Sequence, residues 1–197
     1  VRDHDLQGPP RPGRPGAGRR TPGADVSEFV PLVDPADLPL DLHEQWAATT
    51  RPGLADFLRL MAHAPDHFRR YNEAYLPLRF DNHLGPRLTE IVRLEVARTT
   101  RCPVCIAGRV PAATEAGLTE DLIDRLGTDD LTAFTADEQV AIRYVRRLAT
   151  DHLGITADER TSVAGRFSPT QIVEMSLLTV MCLVGRFSQL CGLEEGA

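Results

Sequence analysis

Two cysteines lie three positions apart in Cys102-Pro103-Val104-Cys105, and a carboxylate, Glu90, lies twelve residues before the first of them. Thiols at C-x-x-C spacing can close a small disulfide or share one proton. A carboxylate carried in by the preceding helix can move that proton. The pair falls where a helix should begin. Pro103 suits the first helical position, because its missing N–H would be unpaired there anyway. Cys102 then becomes the N-cap, facing unpaired N–H groups and the positive end of the helix dipole. A thiol held there ionises more readily, and the thiolate is the nucleophile.

Other chemistry is weaker. Two buried cysteines can simply pack, or supply half of a zinc site, but a four-cysteine site needs a second close pair. The remaining cysteines, Cys182 and Cys191, are nine residues apart in the last predicted helix and face opposite sides of it. They read as small core residues. His63 and His67 have i, i+4 spacing, yet no third ligand is evident and Pro65 breaks the helix between them. No metal and no cofactor are called for. His83 falls in a loop ahead of Glu90 and could swing toward the thiols, whereas His4, His43 and His152 read as surface residues.

Composition narrows the rest. All 22 cationic side chains are Arg, so Schiff-base chemistry and a P-loop lysine are excluded. A net charge of -6 with no basic or aromatic cluster gives no footprint for nucleic acid. The N-terminus lacks a signal-type apolar core. The most apolar stretch, Met175 to Val184, is too short to span a membrane and is flanked by Glu174 and Arg186. The chain is therefore expected to be cytoplasmic, where thiols are kept reduced and a C-x-x-C is catalytic or metal-binding rather than a structural staple.

At 197 residues this is one domain with a tail. Residues 1–25 hold five Pro, five Gly and five Arg and read as a flexible tail or an arm. Residues 26–50 read as an extended lead-in with a short helix from Leu42 to Thr49. Residues 51–197 read as a helical domain. Leu54, Phe57, Leu58 and Met61 repeat at helical spacing. A second helix runs to about Phe80, and Pro86 opens the next, which carries Glu90. The C-x-x-C helix is expected to run to about Ala116, with Gly117 as its stop. A short helix follows at Thr119 to Leu126. Thr135 with Glu138, Thr156 with Glu159 and Ser168 with Gln171 form capping boxes that mark later starts. The last helix, Pro169 to Leu190, is apolar on nearly every face, which places it at the centre of the fold or in a subunit interface. No segment alternates with period two. The fold class is all-α, with about eight helices.

Glu90 with Cys102-Pro103-Val104-Cys105-Ile106-Ala107 resembles the alkyl hydroperoxidase D (AhpD) and carboxymuconolactone decarboxylase superfamily. The segments "PRLTEIVRLEVARTTRCPVCIA", "MAHAPDHFRRYNEAYLPLRF" and "FSPTQIVEMSLLTVM" carry the likeness, over roughly residues 50 to 193. The resemblance implies an AhpD-like helical bundle that assembles as trimers or hexamers, with sites near subunit contacts. In redox-active members the motif continues as C-x-x-C-x-x-x-H. Here Arg109 stands at the histidine position. Histidine can pass a proton on near neutral pH, and arginine cannot. Arg109 is expected to pair with Glu90 or with a thiolate, or else to point to solvent.

Three readings follow. The first is a thiol–disulfide oxidoreductase that reduces a peroxide or another small oxidised molecule, with a thiol or dithiol as electron donor. Cys102 is favoured for attack by its place at the helix start and Cys105 for resolution, an order that burial could reverse. Glu90 would be the base and Arg109 an electrostatic modulator. The second is a cofactor-free enzyme acting on an organic acid, lactone or biosynthetic intermediate. The third is a non-catalytic helical oligomer with a remnant site.

Overall fold

Nine consecutive buried residues, Thr89 to Ala97, sit in one helix, α4 (Gly85–Thr99), and everything else is arranged around it. Both of its apolar edges are used. Ile91 and Leu94 enter one cluster with Ile123, Phe134 and Ile142. Val92 and Val96 enter another with Val145, Met175 and Leu178. A helix apolar on opposite edges must be covered on both, and burial of each such side chain is worth about 1.5–3 kcal/mol. The computed structural model describes residues 29–195. The tail expected over residues 1–25 lies outside the described residues.

In chain order the helices before α4 are α1 (Leu40–Ala48), α2 (Pro52–Met61) and α3 (Pro65–Phe80). After α4 come α5 (Pro103–Ala107), α6 (Pro111–Glu115), α7 (Glu120–Arg125), α8 (Ala136–Thr150) and α9 (Ala157–Ala164), then α10 (Pro169–Cys182) and α11 (Val184–Leu190). No strand occurs among the described residues, and the fold is all-α. The three capping boxes form at the starts of α8, α9 and α10. The lead-in lies against α2, where Arg59 Nε donates to Val33 O at 2.9 Å.

More helices are present than about eight because two predicted ones are broken. The C-x-x-C helix does not reach Ala116. It stops at Ala107, where Gly108 is already extended at φ -68, ψ 140, and Val110, ahead of Pro111 whose ring disfavours helical backbone at the residue before it, is extended as well. The last predicted helix breaks at Leu183, where a tighter turn closes from Leu183 N to Val180 O at 3.2 Å.

The last predicted helix is one-sided in its burial. Met175, Leu178 and Thr179 are buried, while Val173, Leu177 and Val180 are exposed. The run Pro169–Leu190 is long and apolar enough, by length and composition, to cross a membrane. Here α10 packs on α3, α4 and α8, so one face is core and the other is an uncovered apolar stripe at i, i+4, i+7. The central position belongs to α4.

Glu95 is fully buried. It accepts from Arg146 Nε at 2.6 Å, Thr99 Oγ1 at 3.0 Å and Gly127 N at 2.8 Å, which ties α4 to α8 and to the turn after α7.

Candidate active site

The end of α4 delivers the first cysteine. Arg101 adopts a left-handed backbone, φ 56. Its N–H bonds to Arg98 O at 3.1 Å, and Cys102 N–H bonds to Ala97 O at 3.0 Å. These two bonds make a Schellman stop, usually built on glycine. An arginine there costs on the order of 1 kcal/mol. The Gln189 side-chain amide of α11 donates to Arg101 O and holds the stop from the other side. The chain is thereby turned straight into Cys102.

Cys102 is the N-cap of α5 with Pro103 in the first turn, and its sulfur accepts from Cys105 N at 3.3 Å. Cys102 and Cys105 are joined by a disulfide, with Cα atoms 5.2 Å apart. The two sulfurs are not equivalent. Cys102 is 1% exposed and sealed in the core. Cys105 is half-buried and lines a cavity of about 350 Å³ between α1, α2, α3, α4 and the α10–α11 junction. Its walls are largely apolar, with Leu54, Phe57, Leu76 and Phe80 among them. Leu76 and Phe80 are also exposed, so the cavity reaches the surface beside them.

Gly185 of α11 forms the floor under the bridge. A Cβ at that position would lie 2.9 Å from both sulfurs. Gly185→Val is therefore expected to displace α5 or α11 and to lower the thermal midpoint by several degrees, with cavity ligands and Cys105 access disturbed together. Calorimetry of wild type and variant, each reduced and oxidised, checks this. Equal midpoints would mean the backing is loose.

Three arginines terminate α5. A helix of five residues leaves most of its carbonyls without partners. Arg51 Nη2 donates to Val104 O at 2.5 Å. Arg93 Nη1 donates to Cys105 O at 2.5 Å, and Arg93 Nη2 donates to Gly108 O at 2.8 Å. Arg109 Nη1 donates to Ile106 O at 2.5 Å and to Gly108 O at 3.0 Å. Positive charge at a helix C-terminus is favourable.

Glu90 is 1% exposed. Its carboxylate is gripped by Arg93, with Nε to Oε2 at 2.8 Å and Nη2 to Oε1 at 2.5 Å. Arg79 Nη2 approaches Oε2 at 3.4 Å. Burial works against the Arg93 cation, but the Glu90 carboxylate overcomes it and raises the pKa of Arg93 above the ordinary arginine value. Arg93 thus joins Glu90 to the backbone of Cys105. Neither sulfur is a hydrogen-bond partner of Glu90 among the described residues.

Arg109 departs from its expected pairing with Glu90 or a thiolate. It forms a two-pronged pair with Glu120 at 2.8 Å on the surface. The hydrogen bond to Glu120 raises the Arg109 pKa and lowers that of Glu120. The reason is local. Gly108 is extended, so Arg109 is not one helical turn beyond Cys105 but on a separate strand of chain facing α7.

Three groups in the same cavity escaped the sequence reading. Tyr71, Tyr75 and Arg79 stand at i, i+4, i+8 on α3, and their spacing was the available signal. Tyr71 stacks on Phe68 and on Tyr75, and its hydroxyl donates to Met181 O at 3.0 Å. Arg79 Nη1 donates to Tyr75 Oη at 3.2 Å. Tyr75 Oη lies 4.0 Å from Cys182 Sγ. Burial pushes the Tyr75 hydroxyl up to about 12 and raises the Cys182 thiol pKa. Cys182 packs on the core cluster of Val92, Val96 and Met175 and also lines the cavity, Cys191 is buried in the core, and burial raises the pKa of Cys191 as well.

The histidines lie elsewhere. His63 sits in the turn between α2 and α3 and bonds to Pro31 O at 2.6 Å, so it does not share a helix face with His67. His83 pairs with Glu174 at 2.7 Å on the surface, which raises its pKa. Among the described residues no three His, Cys, Asp or Glu side chains are grouped to hold a metal ion.

Residues 65–147 match the Carboxymuconolactone decarboxylase family. They cover α3 to most of α8, including Glu90, Arg93 and both cysteines of the bridge. The fold is similar to that of an uncharacterized peroxidase-related protein with an alkylhydroperoxidase AhpD core from Ralstonia eutropha JMP134. That likeness has a TM-score of 0.68 and 15% identity, and covers 84% of this chain and 90% of the other. It is also similar to an uncharacterized peroxidase-related protein from Silicibacter sp. TM1040, with a TM-score of 0.70 and 15% identity, covering 91% and 96%. No curated protein matches the chain significantly.

Proposed function

We propose that this chain is a thiol–disulfide oxidoreductase of the AhpD-like and carboxymuconolactone decarboxylase kind, which reduces a small oxidised molecule, an organic hydroperoxide in the first instance; the family match over residues 65–147 and the shared fold support the reading. One observation carries the reading. The Cys102–Cys105 bridge presents one sulfur, Cys105, to a ligand-sized cavity and keeps the other, Cys102, sealed behind it. A nucleophile needs access and a resolving thiol does not, so attack is assigned to Cys105. That reverses the order suggested by position on the helix.

In the reduced protein the Cys105 thiolate attacks the distal oxygen of the hydroperoxide. The O–O bond breaks, an alcohol leaves, and Cys105 becomes a sulfenic acid. Cys102 then attacks that sulfur, water leaves, and the bridge forms. Two thiols are oxidised and one peroxide is reduced by two electrons. A small dithiol or a thiol-bearing protein in a reducing compartment returns the bridge to two thiols. Arg93 donates to the Cys105 backbone carbonyl and fixes the end of α5 against the cavity. Glu90 holds Arg93 in place and fixes the local charge. Arg109 shapes the end of α5 and passes no proton. The uncovered stripe Val173, Leu177 and Val180 suits assembly with further copies of the chain.

Turnover with tert-butyl hydroperoxide and dithiothreitol, read as peroxide loss, tests the proposal. Loss that requires both Cys102 and Cys105 supports it. Activity on organic acids or lactones that survives replacement of both cysteines would favour a cofactor-free enzyme instead. Slow thiols and no turnover would leave the non-catalytic reading.

A further inference from the structure

The cavity beside Cys105 is lined by three arginines, Arg51, Arg79 and Arg93, and by no Asp or Glu. Two of the three are occupied. Arg51 is held by Glu195 at 2.7 Å and by Val104 O. Arg93 spends its donors on Glu90, Cys105 O and Gly108 O. Arg79 is different. It makes one hydrogen bond to Tyr75 Oη and one 3.4 Å approach to Glu90 Oε2, an oxygen already accepting from Arg93. A guanidinium has five N–H groups, so Arg79 keeps donors to spare. Its side chain is only 13% exposed, and its guanidinium lies 5.3 Å from the Phe80 ring centroid.

The charges do not cancel. Glu90 supplies one negative charge to two guanidiniums, and the Arg51–Glu195 pair is neutral, so the cavity carries one surplus positive charge. A buried cation without a full partner is costly, and an entering anion removes that cost. The neighbouring walls are apolar, and the space of about 350 Å³ is that of a small-molecule site.

We infer that this cavity binds an organic monoanion with an apolar body, its carboxylate on Arg79 and Tyr75 and its apolar part along Leu54, Phe57 and Leu76. The inference rests on the oxidoreductase reading of the same cavity for what then reacts. The substrate class becomes a carboxylate-bearing apolar hydroperoxide, and Arg79 the residue that sets the preference. A guanidinium forks onto a carboxylate in a way that a neutral alcohol cannot exploit.

Calorimetric titration of the oxidised full chain with octanoate, 1-octanol and octyltrimethylammonium tests this without any redox step. Octanoate is expected to bind on the order of tenfold or more tightly than octanol, and the cation not at all. Arg79→Lys should keep most of the octanoate preference. Arg79→Met should bring octanoate down to the affinity of octanol and leave octanol unchanged. No octanoate binding, equal affinity for octanoate and octanol, or a preference that survives Arg79→Met would overturn the inference. If Arg79→Met fails to fold, the three ligands on the native chain decide alone. Oxidation of the thiols by tert-butyl hydroperoxide is scored separately. Octanoate preference without thiol oxidation sinks the redox reading and keeps the anion site; oxidation without the preference does the reverse.

Discussion

Replacing Cys105 by serine is expected to bring hydroperoxide consumption to the uncatalysed background, whereas replacing Cys102 leaves one turnover. The asymmetry follows from burial. Cys105 faces the cavity, and Cys102 is enclosed by Leu60, Val104, Cys191, Leu193 and Gly185. In Cys102→Ser the first step remains possible, so one equivalent of peroxide is consumed and Cys105 stays as a sulfenic acid. Mass spectrometry should find 16 Da added at Cys105, a mass fixed by one oxygen atom and trapped by dimedone. In Cys105→Ser neither product forms. Alkylation of the reduced wild-type protein should follow the same order, with Cys105 labelled first. Cys182 and Cys191 should lag, because burial raises their thiol pKa values and the thiolate is the reacting form. Faster labelling of Cys102 than of Cys105 would contradict the assignment.

Arg93→Met is expected to have the second large effect. Arg93 neutralises Glu90 and also donates to Cys105 O and Gly108 O. Removing it leaves a buried carboxylate with only the 3.4 Å approach of Arg79. Breaking one side of a buried pair costs about 3–5 kcal/mol. For a chain of this length that lowers the thermal midpoint by roughly 10 °C. Arg93→Lys restores charge without the fork and should recover only part of the stability. The double variant Glu90→Gln/Arg93→Met removes both charges and should be more stable than Arg93→Met alone. Midpoints by calorimetry decide the matter. A single-variant loss below about 1 kcal/mol would mean that the pair is solvated.

Much of this organisation is written locally. The N-cap role of Cys102 follows from Pro103 after a helix stop, and the capping boxes each follow from two residues three apart. Such signals need no knowledge of the rest of the chain. The early stop of α5 was equally local, in Gly108 and in Pro111 after Val110.

What was not legible depends on side chains meeting across elements. Arg109 occupies the position of a proton-passing residue in the motif, yet the extended Gly108 sends it to Glu120. Arg93 takes the place beside Glu90 from within the same helix, and its i, i+3 spacing could have been read. Arg79 and Tyr75 enter from α3, and Gly185 from α11. Spacing puts Tyr75 and Arg79 on one face of α3, but nothing along the chain announces that this face shares a cavity with Gly185 and Cys105. Glu95 looks like an ordinary helix surface carboxylate until α8 supplies Arg146.

The most direct measurement is the mass change of reduced, full-length protein after one equivalent of tert-butyl hydroperoxide. A loss of two hydrogens, mapped to a peptide that joins Cys102 to Cys105, with one equivalent of alcohol released, is the predicted result. Unchanged thiols at both positions, or oxygen accumulating at Cys105 with Cys102 intact in the wild-type chain, would contradict it.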